Sequence, residues 1–245
     1  MIFKFSIVIP TYKENENLIK LIPLIYKILD TNRYNFELII IDDDSRDGTT
    51  ETCHIFKKKF KNIHLVVRKN KVRDLSLSCI CGFELSKFEN ILVMDADLQH
   101  NPKYLKLLIK RFSKEKIDFL VACRDFTNKS KVKVNFTRFF LSKIIIILFN
   151  FLLGFKTNDP MSGFFIFKKK IFVENKDKLF ARGYKILADL IYSSKNKLKI
   201  NDQFIIFNQR DMNSSKLNFK ILLLILMLLF RGLLRRFNLI NPFYK

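Results

Sequence analysis

Short runs of apolar residues recur along the first half of the chain, and a polar or charged segment follows each one. The runs cover residues 5–10, 36–41, 63–67, 91–94 and 119–122. They are too continuously apolar to have a face toward water, which is typical of strands in a parallel sheet. Helix-like stretches separate them. The pattern therefore predicts an α/β domain, with a mainly parallel sheet covered by helices on both faces.

Three polar clusters begin where three of these strands end, at residues 11–14, 42–47 and 95–100. In sheets of this kind, ligands bind at the carboxyl ends of the strands. The clusters therefore predict a ligand site at one edge of the sheet.

The second half of the chain has a different pattern. It contains an apolar stretch with sparse cations at 136–155, a helix-like segment at 183–195 and a strand-like segment at 198–207. From residue 217 onward the chain is apolar and basic. We expect one domain over residues 1–216 and a membrane-associating tail over 217–245.

The apolar cores of 136–155 and of the tail are flanked by cations and are much shorter than the ~20 residues of a spanning helix. This arrangement is typical of amphipathic helices that lie in the interface of an anionic membrane. The alternative is that both are buried core helices. The flanking cations are Arg138, Lys143, Lys220, Arg231, Arg235 and Arg236.

The composition narrows the class of protein. With 49% hydrophobic and 28% charged residues, neither disorder nor a bundle of membrane spans is indicated. A formal charge of +22 favours a polyanionic partner: nucleic acid, an anionic bilayer or a phosphate-bearing substrate. The four cysteines form no C-x-x-C pair, which argues against a zinc site or disulfides and favours a reduced cytosolic compartment. The first ten residues lack the features of a secretory signal.

The cluster after the fourth strand contains Asp95, Asp97 and Gln99. Two carboxylates separated by one residue at a strand end can reach one hard cation, and Gln99 offers a third oxygen. Mg²⁺ or Mn²⁺ held there would bridge a diphosphate. A solvated acidic loop is the alternative. The chain has neither a P-loop nor a dinucleotide-binding glycine motif, which favours a metal ion as the diphosphate ligand.

The other two clusters also offer ligand-binding groups. Three consecutive carboxylates at 42–44 would repel one another without donors nearby, so we expect Asp43 to bind a partner while Asp47 caps the helix near Thr50. In the first cluster, Tyr12 could pack on a nucleobase and Glu14 could accept a hydrogen bond from it.

Five motifs occur in order: FSIVIPTYKENENL, IIIDDDSRDGT, ILVMDADLQHNP, DPMSGFF and a late R-x-x-x-x-S-K. Together they resemble the dolichyl- or polyprenyl-phosphate mannosyltransferases of glycosyltransferase family two, which have the GT-A fold. The resemblance implies an inverting, metal-dependent transfer of a sugar from a GDP- or UDP-sugar to a polyprenyl phosphate. Together with the cysteine usage and the cationic apolar stretches, we expect the protein on the cytoplasmic face of a membrane, attached as a peripheral or monotopic protein.

The resemblance also implies roles for individual residues. Asp97, Arg138 and Arg210 would be catalytic, and Asp95, Asp97 and Gln99 would hold the metal. The acceptor phosphate would meet Arg138, Ser142, Arg210 and Lys216. The nucleotide sugar would contact Pro10, Tyr12, Glu14, Ile41, Asp43, Asp95, Ala96, Asp97, Arg124 and Lys185.

Two departures from the family pattern bear on specificity. Asp74-Leu75-Ser76 stands where members usually carry a glycine-rich turn, with Arg73 before it, and Asn213 replaces a glycine in the late motif.

Two alternative functions remain. A transferase acting on a sugar hydroxyl would need a carboxylate base, for which the chain offers Asp159 or Asp189. A nucleic-acid-binding module would leave the carboxylate clusters facing a polyanion, so we expect no nucleic-acid partner.

Overall fold

A computed structural model describes residues 2–30, 33–69, 71–124, 156–183, 185–194 and 197–207, together with isolated positions at 147, 151, 154, 227, 229, 230, 233 and 234. Seven strands form one sheet in the order β3-β2-β1-β4-β6-β5-β7. The strands are β1 (Lys4–Thr11), β2 (Asn35–Asp42), β3 (Ile63–Val67), β4 (Asn90–Met94), β5 (Phe119–Arg124), β6 (Phe164–Lys168) and β7 (Ile200–Ile205).

Helices cover both faces of this sheet, as the apolar runs predict. In β1, Phe5, Ile7 and Ile9 face one hydrophobic cluster, with α1, α2 and α4, whereas Val8 faces the other, with α3, α5 and α6. The helices are α1 (Asn15–Ile28), α2 (Thr49–Lys59), α3 (Leu75–Leu85), α4 (Leu105–Lys114), α5 (Lys169–Asn175) and α6 (Ile186–Ser193), with short 3-10 turns at Pro102–Tyr104 and Lys176–Lys178.

The sheet is mainly parallel, which confirms the expected fold class. Strands β1, β2, β3 and β4 pair in parallel, and β5 pairs in parallel with β7. Strand β6 runs the other way and pairs with both β4 and β5, for example Met94 with Phe164 and Val121 with Phe165. Four of its five residues, Phe164–Phe167, form a continuous apolar run, and a run this short does not by itself distinguish a strand from part of a helix.

A glycine sets the approach of α3 to the sheet. A Cβ atom at Gly82 would collide with the side chain of Val8 in β1. Because glycine lacks this atom, α3 packs directly on the central strand. The N-terminus of α3 thereby lies near the carboxyl ends of β1 and β2.

The predicted interfacial helix at 136–155, the tail and the boundary at residue 216 lie almost wholly outside the described residues. Among the isolated positions, Ile147, Phe151, Met227 and Phe230 are exposed apolar residues, whereas Leu229 is buried. Within the described part of the chain, no helix is long and apolar enough to cross a membrane.

Candidate active site

A cavity of about 410 Å³ opens at the carboxyl ends of β1, β2 and β4, beside the N-terminus of α3. The structure brings together seven of the residues predicted to bind a nucleotide sugar, and their contacts with a ligand remain predictions. The lining residues are Pro10, Thr11, Tyr12, Glu14, Asp43, Arg73, Asp74, Leu75, Ser78, Asp95, Ala96 and Asp97.

Asp42, Asp43 and Asp44 are consecutive carboxylates at the end of β2. Each has its own partner, which offsets their mutual repulsion. Asp42 accepts hydrogen bonds from the backbone N–H and the hydroxyl of Ser45. Burial raises the pKa of Asp42, and those hydrogen bonds only partly oppose the shift. Asp43 forms a buried ion pair with Arg68. Asp44 pairs with the exposed Arg46 at 3.1 Å. Only Asp43 lines the cavity.

The Asp47 carboxylate stabilises the start of α2, as expected. Its Oδ1 accepts from the backbone N–H of Thr49 at 3.2 Å and from the Thr49 hydroxyl at 2.8 Å. Its Oδ2 accepts from the backbone N–H of Asn15 at 3.1 Å, which links this loop to the start of α1.

The Asp95 carboxylate packs against the backbone of Gly163, which has no side chain. A Cβ atom at Gly163 would collide with both carboxylate oxygens of Asp95. His100 lies on another side, with its Nδ1 3.7 Å from Asp95 Oδ2. Burial lowers the pKa of His100 to about 4, so the imidazole is neutral at pH 7. Gly163 and His100 therefore both pack against the Asp95 carboxylate.

Asp95 and Asp97 suit a divalent cation that also binds a diphosphate. In the described part of the chain, no group of three or more His, Cys, Asp or Glu side chains could hold a metal by itself. Mg²⁺, however, typically takes only one or two carboxylates and completes its shell with phosphate oxygens and water. Both carboxylates line the cavity, and the glycine cradle for Asp95 fits this arrangement. Gln99 does not line the cavity; its backbone N–H donates to Asp97 Oδ1 at 3.2 Å.

A buried ion pair lies beside Asp95. Arg124, at the end of β5, donates from Nε and Nη2 to the two oxygens of Asp159 at 2.7 and 2.9 Å. Burial would raise the pKa of Asp159, but the charge and hydrogen bonds of Arg124 outweigh it and the pKa is lowered. Asp159 is therefore an ionised carboxylate with a fixed partner.

Lys185 adds a second cation to this cluster. Burial and then the charge of Arg124 lower the pKa of Lys185 to about 8, against the opposing effects of Asp159 and Asp95. The charges of Arg124, Asp159 and Asp95 therefore all act on this amine. Because Asp95 also lines the cavity, it links the cavity to this cluster.

Arg73 and Asp74 are two further charged residues that line this cavity. Among the described residues that line it, Arg73 is the only arginine or lysine, against five carboxylates. Its guanidinium lies 4.7 Å from the centre of the Tyr12 ring. Asp74 caps α3 by accepting from the backbone N–H groups of Ser76 and Leu77.

Some predicted residues lie elsewhere. The Ile41 side chain is fully buried in the core and does not line the cavity. Asp189 accepts from the backbone N–H groups of Phe180 and Ala181 at 2.9 and 2.8 Å and from the Ser193 hydroxyl. The candidate acceptor residues Arg138, Ser142, Arg210 and Lys216 lie outside the described residues.

Several site residues were missed by sequence reasoning. Arg68 directly follows β3, so the same rule of polar residues at strand ends could have identified it. Thr11 lines the cavity, and its buried hydroxyl has no hydrogen-bond partner among the described residues, which suits a ligand contact. Gly163 lies in a recognised motif, but only the structure shows which side chain it accommodates.

Comparison with known proteins identifies the family. The model of glycosyl transferase family 2 matches residues 6–175, which is more than half of the chain. This protein belongs to glycosyl transferase family 2. The predicted family and enzyme class are thereby confirmed.

Three curated relatives of this glycosyltransferase share a name. A dolichol-phosphate mannosyltransferase of Pyrococcus furiosus is 33% identical over 219 residues, covering 89% of this chain and 60% of the relative. Proteins of the same name from Mycosarcoma maydis and Saccharomyces cerevisiae are 30% and 27% identical, covering 89% and 91% of this chain and 74% and 84% of the relatives. The chain thus spans 60% of the length of the Pyrococcus protein.

Solved structures support the fold of this glycosyltransferase. Glucosyl-3-phosphoglycerate synthase from Mycobacterium tuberculosis, in complex with phosphoglyceric acid, has a TM-score of 0.69 at 16% identity, covering 97% of this chain and 81% of that chain. The same enzyme in complex with Mn²⁺, UDP-glucose and glycerol 3-phosphate has a TM-score of 0.68. The expected GT-A fold is confirmed.

The Arg124–Asp159 pair predicts how stability depends on pH. The pKa of Asp159 is lowered on folding, so the pair stabilises the fold above the unfolded pKa of about 3.9 and loses this contribution as pH falls further. We expect Asp159→Asn to reduce the free energy of unfolding by roughly 3 kcal/mol at pH 7, because Arg124 loses the buried carboxylate with which its guanidinium pairs. Urea unfolding at pH 7, 4 and 3 measures the difference, which should shrink below pH 4.

Asp44→Asn is the matched control, since it removes a carboxylate whose partner Arg46 is exposed. We expect a change below about 1 kcal/mol at every pH. Equal effects of the two substitutions at pH 7 would contradict this account of the buried pair.

Proposed function

We propose that this protein transfers a sugar from a nucleoside diphosphate donor to a polyprenyl phosphate. The observation that carries the proposal is the pair of cavity carboxylates, Asp95 and Asp97, near the partly buried cations Arg124 and Lys185. The name shared by three curated relatives supports a dolichol-type phosphate as acceptor.

The donor occupies the cavity in this proposal. Tyr12 and Glu14 contact the nucleobase, and Asp43 takes part in nucleoside binding while Arg68 holds it in place. Asp95 and Asp97 hold Mg²⁺ or Mn²⁺. A divalent cation bound there neutralises charge that develops on the leaving diphosphate. The structural relative crystallised with Mn²⁺ and UDP-glucose supports this assignment, with a GDP- or UDP-linked sugar as donor.

The acceptor needs cations rather than a base. A phosphate monoester loses its second proton near pH ~6 and is then already a charged nucleophile. Its oxygen forms a bond to the anomeric carbon from the face opposite the diphosphate, which departs with the electron pair of the broken bond, so the configuration inverts. Lys185 supplies positive charge near Asp95. The resemblance adds Arg138, Ser142, Arg210 and Lys216.

The hydroxyl-acceptor alternative is less favoured, because both carboxylates considered as its base are engaged. Asp159 is held ionised by two hydrogen bonds from Arg124. Asp189 uses both oxygens on backbone N–H groups and on Ser193. Neither carboxylate is arranged to take a proton from a substrate.

We also propose peripheral attachment to the cytoplasmic face of an anionic membrane. Ile147 and Phe151, four residues apart, and Met227 and Phe230, three apart, are exposed and lie within the sequences of the two amphipathic helices expected from the sequence. Residues at these spacings share one helix face. Cations flank both stretches in the sequence. An acidic cavity on a protein of net charge +22 suits a membrane surface better than a nucleic acid, which the cavity carboxylates would repel.

The metal assignment predicts that Asp97→Asn lowers turnover by roughly 10²-fold or more, because a cation supplies several kcal/mol to the transition state. Gly163→Ala should have a similar effect, since it displaces Asp95. Turnover of a nucleotide sugar with a short polyprenyl phosphate, with and without added Mn²⁺, measures both. Full activity of the wild type in EDTA would refute the assignment.

The phosphate-acceptor mechanism predicts an asymmetry between two variants. Arg138→Ala should impair acceptor use severely, because a charge-assisted contact to phosphate is lost. Asp189→Asn should keep substantial turnover in the folded fraction, because Asp189 supports its own loop. Turnover at saturating donor from pH 5.5 to 8.5 compares them. If folded Asp189→Asn or Asp159→Asn were inactive while Arg138→Ala kept normal acceptor affinity, a hydroxyl acceptor would replace the phosphate.

The membrane proposal predicts that the protein sediments with anionic liposomes and that removal of residues 218–245 weakens this binding. Electrostatic attraction and apolar insertion both contribute, so ~0.5 M salt should reduce binding without abolishing it. Neutral liposomes are the control. Equal sedimentation of the full and shortened chains would exclude the tail as the anchor.

A further inference from the structure

The N-terminus of α3 and the turn before α6 are joined by a compact set of hydrogen bonds. Asp74 Oδ2 accepts from the backbone N–H of Gly183 at 2.6 Å. In return, the carbonyl oxygen of Gly183 accepts from the backbone N–H of Ser76 at 3.0 Å and from the Ser76 hydroxyl at 2.8 Å. Three hydrogen bonds thus link two segments more than one hundred residues apart. We call this set the Asp74–Gly183 latch.

The latch belongs to a wall of the donor cavity. Asp74, Leu75 and Ser78 all line that cavity. The backbone N–H of Asp74 also donates to Asp43 Oδ2 at 2.8 Å. A continuous series of hydrogen bonds therefore runs from Asp43 in the cavity to Gly183.

On its other side, the latch is adjacent to Lys185. Gly183 has φ +83° and lies two residues before Lys185, which occupies the N-cap position of α6 and makes no side-chain capping hydrogen bond. The start of the same turn is held by Asp189, through the backbone N–H groups of Phe180 and Ala181. Residues 180–183 are thus held at both ends, by Asp189 at Phe180 and Ala181 and by Asp74 at Gly183.

We propose that Asp74 is a positioning residue for Lys185: by holding Gly183 against the N-terminus of α3, it sets where the chain enters α6 and therefore where Lys185 lies relative to the cavity. The inference rests on the proposed function for the part that Lys185 plays in turnover. A residue without a side-chain acceptor, such as glycine, could not hold Gly183 in this way.

The two oxygens of Asp74 allow the latch to be broken separately from the helix cap. Oδ1 accepts from Ser76 and Leu77, and Oδ2 accepts from Gly183. Asparagine caps helices as well as aspartate does, but its amide NH₂ would face the Gly183 N–H and cannot accept from it. Asp74→Ser likewise keeps a capping oxygen, and its shorter side chain has no second acceptor for Gly183. Both variants should therefore fold with α3 intact.

Asp118→Asn is the matched control. Asp118 also joins distant segments, accepting from the backbone N–H of Lys199 at 3.0 Å and from Lys168 Nζ at 2.9 Å. It directly precedes β5, at the end of that strand opposite to Arg124. Its substitution removes an equivalent acceptor without touching the latch.

The experiment measures three quantities in the wild type, Asp74→Asn, Asp74→Ser and Asp118→Asn. Hydrogen exchange of the peptide covering 180–185 and acetylation of Lys185 by acetic anhydride, read by mass, report the latch without any assay of activity. Both should rise by roughly 10-fold or more in the two Asp74 variants only, as expected for loss of a charge-assisted hydrogen bond. Exchange within 78–85 should stay unchanged. Turnover should fall ~10-fold with little change in the donor KM.

Each outcome bears on the proposal. Unchanged exchange and unchanged Lys185 acetylation in both Asp74 variants would refute the latch. Faster exchange with normal acetylation and normal turnover would show that the latch exists but does not position Lys185. A wild type without transferase activity would contradict the proposed function instead, while the acetylation result would still decide whether Asp74 positions Lys185.

Discussion

The pairing of β6 between β4 and β5 determines where the charged groups of the site lie. Because β6 is antiparallel to both neighbours, the residues just before it are placed at the carboxyl ends of β4 and β5. Gly163 thereby supports the Asp95 carboxylate, and Asp159 reaches Arg124. With a parallel strand in this position, the same residues would lie at the opposite edge of the sheet. The direction of β6 therefore determines where Gly163 and Asp159 lie in the site.

The site is acidic on a protein that is strongly basic as a whole. Burial of several carboxylates in one region is tolerated because each has short-range partners, such as Arg68 for Asp43, Ser45 for Asp42 and Arg124 for Asp159. Among the described residues, five carboxylates and a single arginine line the cavity. In the proposed function, a dianionic diphosphate would therefore enter this cavity together with a compensating cation.

The cavity and the cationic cluster form one unit. Asp95 contributes to both, and the hydrogen bonds from Asp43 through Asp74 to Gly183 link the cavity wall to the turn before Lys185. Gly82 makes this possible, since it lets α3 approach β1 closely enough to carry Asp74 to the cavity. The residues proposed to bind the donor and the turn before Lys185 are therefore joined through strand ends and a helix N-terminus.

The sequence by itself determined the five parallel strands β1 to β5 to within about two residues, because a strand buried on both faces is a locally continuous apolar run. It also determined that Tyr12, Asp43, Asp95 and Asp97 converge, because polar residues after parallel strands share one edge. Only the tertiary structure decided the place and direction of β6, and with them the partner of Asp159. It also showed that Asp189 accepts hydrogen bonds from Phe180 and Ala181 and that Asp74 accepts one from Gly183. Such pairings join residues far apart in sequence, so no local pattern encodes them; they follow from which segments pack side by side once the chain has folded.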